Sequence, residues 1–185
     1  MFRVEESGGT AKAEPVRKAT SSLILIKARR GGEPVFLLRW SDAWGGYYWF
    51  VGGIQELNES ADECAVRELN EELSVSTKCI RSMTKLLSVP DRRISSRMRV
   101  FTEYFYNVYS VALDDDGTCS ALLIAEPVIQ KTIKGGHPYN QRCKWHTWAE
   151  IKSSVSLMKD AGAVVQAIEA YGVDRIPLSI TDDVI

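Results

Sequence analysis

The stretch of sequence that decides the fold reads GIQELNESADECAVRELNEELSV and spans residues 53–75. Ser60 and Glu63 have the S-x-x-E spacing of a capping box, so we predict a helix that begins there and runs to about Glu72. Small and aliphatic residues recur along this helix at the spacing of one buried face: Ala61, Ala65, Leu69 and Leu73. We therefore expect the helix to pack on a sheet.

Three carboxylates lie beside this apolar face. At 100° per residue, Glu68, Glu71 and Glu72 fall within an arc of about 100°. Like charges this close repel and raise one another's pKa values, and a divalent cation removes the conflict. Oxygen ligands without His or Cys suit Mg²⁺ or Mn²⁺. The alternative is a solvated acidic face, in which Arg67 forms an ordinary ion pair with Glu71 four residues later.

The composition of the 185-residue chain is typical of a folded globular protein, with 45% hydrophobic and 25% charged residues. Its 23 basic and 24 acidic residues give a net charge of -1, which provides no general attraction to nucleic acid or to an anionic membrane. The longest aliphatic run, Leu23–Ile26, is far shorter than the ~20 residues that cross a bilayer. We therefore expect neither a membrane nor a nucleic-acid partner.

The cysteines and histidines are few and widely spaced. No two cysteines have C-x-x-C spacing; the full set is Cys64, Cys79, Cys119, Cys143, His137 and His146. This pattern predicts neither a structural zinc site nor a disulfide framework, and it favours a reducing cytoplasm as the location.

Strand patterns surround the helix. Apolar runs at residues 21–27 and 35–40, separated by Gly31 and Gly32, predict a hairpin. Further along the chain we predict a strand running into a glycine turn over 41–53, a long strand over 99–111, strands over 121–133 and 144–148, and a helix over about 150–171. Strands interleaved with two helices predict an α/β fold with helices packed on a mixed sheet.

The segment 53–75 resembles the Nudix box, G-x5-E-x7-R-E-U-x-E-E-x-G-U, in which U is an aliphatic residue. Ser74 stands where the family has glycine, just after the helix, and Val51 stands where many members have proline. The matching positions are Gly53, Glu59, Arg67, Glu68, Leu69, Glu71, Glu72 and Val75. The resemblance implies a Nudix-type α/β/α sandwich with a central mixed β-sheet.

On this basis we divide the chain into three parts. Residues 1–18 are expected to be an N-terminal tail or edge segment. Residues 19–176 form a single Nudix domain that includes the C-terminal helix, and residues 177–185 form a C-terminal tail.

The resemblance implies hydrolysis of a phosphoanhydride bond in a nucleoside diphosphate linked to another group, by water attack at phosphorus. It implies Glu71 and Glu72 as direct ligands of Mg²⁺, or of Mn²⁺ in its place. Glu68 is implied as a further ligand, and the carbonyl of Gly53 joins the metal shell.

Glu59 and Arg67 would form an ion pair that holds the loop–helix–loop in shape. The alternative is a surface salt bridge without that role.

The general base has three candidates. In this family it is either a glutamate of the box, here Glu68, or an acidic residue on a later loop, here Glu126. Glu103 lies within an otherwise apolar strand, where a carboxylate facing the metal site is one explanation and an ion pair with a nearby arginine is the other.

Two groups of residues are candidates for substrate binding. Four arginines either hold substrate phosphates or form a solvated basic segment: Arg92, Arg93, Arg97 and Arg99. Aromatic residues either stack on a base or pack in the core, among them Trp44 and Tyr48, with Tyr47 and Trp49 beside them. Pro90, 15 residues after Val75, is similar to a marker of the ADP-ribose pyrophosphatase subgroup, which slightly favours an ADP-ribose-like nucleotide.

Three functional classes follow from the resemblance. The first is an enzyme, a Nudix pyrophosphohydrolase that acts on a small-molecule nucleotide diphosphate. The second is a non-catalytic nucleotide-binding or sensor domain, which has no need to keep Glu68, Glu71 and Glu72 together. The third, a diphosphate isomerase, would need a catalytic cysteine, and none of the four stands out. A homodimer is also in keeping with similar proteins.

Overall fold

A computed structural model describes residues 16–41, 46–95, 98–114, 118–132, 138–153 and 162–184. The strands are β1 (Arg17–Leu25), β2 (Lys27–Arg30), β3 (Glu33–Ser41), β4 (Tyr47–Trp49), β5 (Val51–Ile54), β6 (Ile80–Ile94), β7 (Phe101–Leu113), β8 (Val128–Thr132) and β9 (Pro138–Thr147). The helices are α1 (Ala61–Leu73), α2 (Thr118–Ile124), α3 (Trp148–Ser153) and α4 (Gly162–Tyr171), with short 3₁₀ turns at Thr77–Cys79 and Val173–Arg175.

The strands form two sheets. The first has the order β5-β1-β7-β6 and is mixed, because β1 runs parallel to β7 while the other neighbours are antiparallel. The second has the order β2-β3-β9-β8 and is antiparallel, with β4 paired to β3 beyond the end of β2. A single residue, Ile26, separates β1 from β2, so one continuous segment contributes to both sheets.

The helices pack against the strands in two hydrophobic clusters. One hydrophobic cluster contains the predicted apolar face of α1 and two residues of α2: Ala65, Leu69, Leu73, Cys119 and Leu123. The other contains residues of α3 and α4: Trp148, Ile151, Val164, Val165 and Ile168. Strand residues alternate between the clusters, with Ile24 in the first and Leu23 and Leu25 in the second. The predicted α/β fold class, with helices packed on a mixed sheet, is confirmed.

Helix α1 begins and ends on local signals. Ser60 Oγ accepts the Glu63 N–H at 3.2 Å and Glu63 Oε2 accepts the Ser60 N–H at 2.8 Å, which completes the predicted capping box. At the other end, Ser74 adopts the left-handed conformation with φ 58° and ψ 24°, and its N–H points to the Asn70 and Leu69 carbonyls. The serine therefore keeps the backbone conformation that glycine accepts most readily, at a cost of about 1 kcal/mol.

Three elements differ from the sequence predictions. The sequence did not predict strand β6. It is an edge strand of 15 residues with much of its surface exposed, and it therefore lacks the alternation of apolar residues that indicates a strand. The edge position also accommodates Pro90, which has no N–H to donate. The predicted strand over 121–133 divides into α2 and β8, since a short apolar run does not distinguish helix from strand. The predicted helix over 150–171 corresponds to α3 and α4, and residues 154–161 between them lie outside the described part.

The two predicted tails also differ from the structure where it describes them. Arg17 and Lys18 belong to β1 and pair with Thr102 and Glu103 of β7. At the other end, the Ser179 N–H donates to the Lys27 carbonyl at 2.7 Å. The Val184 N–H donates to the Arg29 carbonyl, also at 2.7 Å, and the side chains of Ile180 and Val184 are buried. The C-terminal segment through residue 184 is therefore docked along β2.

The sequence predicted no disulfide framework, and the structure corrects this prediction for one pair of cysteines. Cys79 and Cys119 form a disulfide that ties the 3₁₀ turn before β6 to the first turn of α2. The two residues are 40 positions apart, and their spacing has no recognisable motif. Cys64 and Cys143 are free and buried. Among the helices that the structure describes, none is long and apolar enough to cross a membrane.

Candidate active site

A cavity of about 660 Å³ opens beside β5 and the C-terminal half of α1. The two carboxylates in its lining are those of Glu68 and Glu72. Basic and aromatic side chains from the surrounding strands complete much of the wall: Arg17, Arg39, Arg93, Tyr47, Trp49, Tyr104 and Tyr106. The cavity therefore combines negative charge from the helix with positive charge and ring surfaces from the sheets.

Glu72 is held firmly at the back of this cavity and is 8% exposed. Its Oε2 accepts the Gly52 N–H at 2.9 Å and lies 2.6 Å from Nε of Arg39 on β3. Gly52 can present that N–H because its φ of 143° brings it close to the backbone of β1, where any side chain would overlap the Ser22 carbonyl. The Gln141 side-chain amide donates to the Glu72 carbonyl at 2.7 Å, which fixes the helix end against β9.

Glu68 lies one helical turn earlier and is equally buried, at 8% exposure. Burial raises the pKa of its carboxyl, and the negative charge of Glu72 raises it further. The Arg67 guanidinium opposes this rise through a contact of 2.7 Å between Nη1 and Oε1. Gly53 packs directly against this carboxylate, and a Cβ at that position would overlap it. A side chain at residue 53 would therefore require the Glu68 carboxylate to move from its present position.

Glu71 differs from the other two box carboxylates. Its side chain is 52% exposed and lies 3.2 Å from Arg67 Nη1, outside the lining of the cavity. Within the described ranges, no group of three His, Cys, Asp or Glu residues is arranged to hold a metal ion. The structure thus brings Glu68 and Glu72 together and leaves Glu71 at the outer surface with Arg67.

Arg67 and Glu59 form a two-pronged ion pair between α1 and the loop before it. Nε lies 2.7 Å from Oε1, and Nη2 lies 3.0 Å from Oε2. These hydrogen bonds hold the pKa of the Glu59 carboxyl at about 2. Glu59 Oε2 also accepts the Glu56 N–H at 2.9 Å, and Arg67 Nη2 donates to the Ile54 carbonyl at 3.2 Å. The pair therefore connects β5, the loop and the helix.

The residues present fit a divalent cation. Glu68 and Glu72 are two buried like charges on neighbouring helical turns, and the pKa of Glu68 is raised first by burial and then by the charge of Glu72. A cation bound between them would relieve their repulsion. Gly53, whose Cα packs against the Glu68 carboxylate, has a carbonyl oxygen that accepts the Cys64 thiol at 3.6 Å and is the further oxygen that the family resemblance implies. This all-oxygen donor set suits Mg²⁺ or Mn²⁺.

The two candidate bases outside the box lie elsewhere. Glu103 pairs with Arg92 of β6 at 2.7 Å, on the face of β7 opposite to Tyr104. Glu126 Oε1 accepts the Trp145 N–H at 2.8 Å and lies 3.7 Å from Arg30. Neither of these residues lines the cavity. Glu68 is the candidate base that the structure brings to it.

Some of the candidate substrate-binding residues line the cavity, and others lie away from it. Arg93 lines the cavity, where its guanidinium lies 4.2 Å from the Tyr104 ring and donates to the Tyr106 hydroxyl at 2.5 Å. Arg92 is engaged with Glu103 on the other face. Arg99 is exposed and has a left-handed φ of 56°. Tyr48 packs between Trp40 and His146, whereas Trp44 and Arg97 lie outside the described residues.

Four of the basic and aromatic lining residues were missed from the sequence: Arg17, Arg39, Tyr104 and Tyr106. Arg39 follows the buried run Val35–Leu38, and a charged side chain at the end of such a run is the same signal that drew attention to Glu103. The tyrosines alternate with outward-facing residues on β7, so the period alone did not reveal which face borders the cavity.

The comparisons with known proteins agree with this geometry. A family model described as NUDIX domain matches residues 17–161. No curated protein sequence matches the chain. An Ap4A hydrolase of C. elegans, solved as a binary complex, has a TM-score of 0.55 at 14% identity, covering 84% of this chain and 98% of that one. The NUDIX domain of Shewanella oneidensis NrtR, complexed with ADP ribose, has a TM-score of 0.55 at 14% identity, with coverage of 83% and 87%.

A third structure is the Nudix hydrolase RenU from M. smegmatis, with a TM-score of 0.52 at 15% identity and coverage of 87% and 90%. At these identities the likeness to solved structures concerns the fold alone. The family model covers most of the chain and includes every residue of the box. The chain therefore belongs to the Nudix family.

Proposed function

We propose that this protein is a Nudix pyrophosphohydrolase, which uses a divalent cation to hydrolyse a phosphoanhydride bond in a nucleoside diphosphate linked to another group. One observation carries the proposal: Glu68 and Glu72 are buried side by side in a cavity that arginines also line. Two buried carboxylates on successive helical turns need positive charge beside them, which Arg39 and Arg67 supply in part and a divalent cation would complete. Membership of the Nudix family supports the same conclusion.

In this proposal Glu72 would hold Mg²⁺, or Mn²⁺ in its place, and Glu68 would join it directly or through water. The Gly53 carbonyl would add a ligand, and Glu71 could do so only by leaving its contact with Arg67 outside the cavity lining. A cation held there would supply positive charge to the diphosphate, and water would be the nucleophile at phosphorus. Gly52 orients the Glu72 carboxylate through its N–H. Arg67 orients Glu68 and Glu71 from the other side of the helix.

We assign Glu68 as the general base. It is the candidate base that lines the cavity, and burial together with the charge of Glu72 raises the pKa of its carboxyl, the direction that makes a carboxylate a stronger base. Glu103 and Glu126 are left out of the mechanism, because their carboxylates are engaged with Arg92 and with the Trp145 N–H.

The walls of the cavity support a nucleotide as the substrate. Arg93 can contact phosphate oxygens, and the rings of Tyr104 and Trp49 offer surfaces for a base. We favour an ADP-ribose-like nucleotide, in keeping with the ADP ribose complex of the NrtR NUDIX domain. Pro90 adds no contact to this proposal, since it lies opposite Phe105 on the edge strand β6.

A non-catalytic nucleotide-binding domain is the second candidate. The observation in its favour is that arginines already neutralise the box: Arg39 contacts Glu72, and Arg67 contacts Glu68 and Glu71. For either function the partner is a small molecule, and a homodimer and a cytoplasmic location stay predictions. A reducing cytoplasm would open the Cys79–Cys119 disulfide.

Product release from a nucleotide panel separates the two functions. The panel contains ADP-ribose, NADH, nucleoside triphosphates, dinucleoside polyphosphates and nucleotide sugars, each with Mg²⁺ and with Mg²⁺ plus chelator. We expect turnover of one class that the chelator abolishes. Thermal stabilisation by a nucleotide without turnover, in either Mg²⁺ or Mn²⁺, would support the binding domain instead.

A further inference from the structure

Arg39 has an unusual position for a residue of an otherwise apolar strand. It ends the buried run of β3, and its side chain is only 13% exposed. Its Nε lies 2.6 Å from Glu72 Oε2, and its Nη2 reaches the Gly52 carbonyl at a long 3.4 Å. The same guanidinium lines the cavity with Glu68 and Gly53.

The contact places Arg39 on an oxygen that the proposed function assigns to the metal. Glu72 Oε2 accepts the Gly52 N–H and also contacts Arg39, so a neutral backbone donor and a charged guanidinium both lie against it. A divalent cation at that oxygen would be repelled by the guanidinium at close range. Both cannot occupy the same side of one carboxylate oxygen.

Of the two groups, Arg39 is the one that can leave. The Gly52 N–H is part of β5, and its backbone is fixed by the Leu23 pairing. The guanidinium is carried on a flexible aliphatic stem and makes a poorly aligned contact, because its buried Nε forms no hydrogen bond with good angles. Arg93, on another wall of the cavity, is less free to move. Its Nε lies 2.8 Å from Asp91 Oδ2, and its Nη2 donates to the Tyr106 hydroxyl.

A displaced Arg39 would still lie within the cavity. Its planar set of N–H donors matches the oxygens of a phosphate group, which it can bind through two parallel hydrogen bonds. Binding of the cation would therefore release Arg39 from Glu72 and make its guanidinium available to a phosphate group beside the metal.

We propose that Arg39 is an internal counter-ion that competes with the divalent cation for Glu72 and, once displaced, binds the substrate diphosphate. This inference rests on the proposed metal site at Glu72. Arg39 would then couple metal binding to substrate binding. The cation binds more weakly because it has to displace Arg39. The diphosphate binds more tightly once the cation is present, because Arg39 is then available to it.

The test measures two affinities on the whole protein. Binding of Mn²⁺ alone is followed by electron paramagnetic resonance, and binding of α,β-methylene-ADP in Mg²⁺ is followed by calorimetry. We compare the wild type with Arg39→Met, Arg39→Lys and Glu72→Gln. Arg17→Met is the matched control, because Arg17 lines the same cavity and forms no ion pair with a box carboxylate among the residues that the structure describes. Thermal unfolding establishes that each variant is folded.

We expect Arg39→Met to bind Mn²⁺ at least about five-fold more tightly and the nucleotide at least about five-fold more weakly, with Arg39→Lys between it and the wild type. Arg17→Met should change Mn²⁺ binding by less than about two-fold. A purely structural role for Arg39 would weaken both affinities, so the opposite directions are diagnostic.

The outcomes distinguish the inference from the function on which it rests. If Glu72→Gln abolishes Mn²⁺ binding while Arg39→Met leaves it unchanged or weaker, the counter-ion role is overturned and the metal site stands. Tighter Mn²⁺ binding with unchanged nucleotide affinity overturns the phosphate role. If wild type and Glu72→Gln bind Mn²⁺ alike, or not at all, both the metal site and the inference are overturned.

Discussion

The ion pair between Arg67 and Glu59 offers the clearest quantitative prediction. Two contacts of 2.7 and 3.0 Å join the side chains, which are 22% and 12% exposed. We consider Arg67→Met, Glu59→Gln and the double variant, each measured by urea unfolding. The coupling free energy between the two substitutions isolates the pair from the other contacts of Arg67.

The structure sets the size of this coupling. The pKa of Glu59 falls from an ordinary value of 4.5 to about 2, which corresponds to an upper limit of about 3 kcal/mol. Exposure at the edge of the loop and screening by solvent reduce this value by about half. We therefore expect a coupling of about 1.5–2 kcal/mol at pH 7.

The same pair predicts a pH dependence. Because the pKa of Glu59 is lower in the folded protein than in the unfolded chain, its stabilisation is full above about pH 4.5 and is lost as the pH falls through about 2. The difference in stability between wild type and Glu59→Gln should therefore shrink by about half between pH 7 and pH 3.5. A coupling below about 0.5 kcal/mol that is the same at both pH values would refute the reasoning and support a simple surface salt bridge.

Three further predictions concern the backbone and the disulfide. Ser74→Gly should raise the free energy of unfolding by about 0.5–1 kcal/mol, because the φ of 58° favours glycine, whereas Ser74→Ala should give no gain. Gly53→Ala should destabilise the fold by about 1–3 kcal/mol and lower turnover, because its methyl group overlaps the Glu68 carboxylate. Gly162→Ala is the control, since a Cβ there meets no atom within 4 Å, and equal behaviour of the two variants would contradict the packing. Reduction of the disulfide between Cys79 and Cys119, which are 40 residues apart, should lower stability by about 3–4 kcal/mol in urea unfolding, while Cys79→Ser should be insensitive to reductant.

The box helix could be predicted from the sequence because its signals are local. The capping box at Ser60 and Glu63, the apolar face and the carboxylate arc all lie within 15 residues of one another. The separation of Glu71 from Glu68 and Glu72 was not predicted, because it depends on the approach of β5 to one side of the helix rather than on helical spacing.

Features that depend on distant parts of the chain were missed or left open. Arg39 meets Glu72 only because β3 of the second sheet ends beside α1. Two explanations of Glu103 were open from the sequence, and the structure provides the arginine partner, Arg92, across the β6–β7 pair. The disulfide joins two cysteines whose neighbourhood is created by the fold rather than by their spacing.

The most direct test of the central claim is the turnover of Glu72→Gln in Mg²⁺, on whichever nucleotide the wild type hydrolyses. The substitution removes one charge from the cavity with little change in shape. Glu33→Gln, at the exposed first residue of β3 and outside the cavity lining, makes the same change. We predict that Glu72→Gln lowers kcat at least about 100-fold with an unchanged fold, while Glu33→Gln stays within about two-fold of the wild type. Glu72→Gln activity close to that of Glu33→Gln would contradict a metal-dependent hydrolysis centred on this carboxylate.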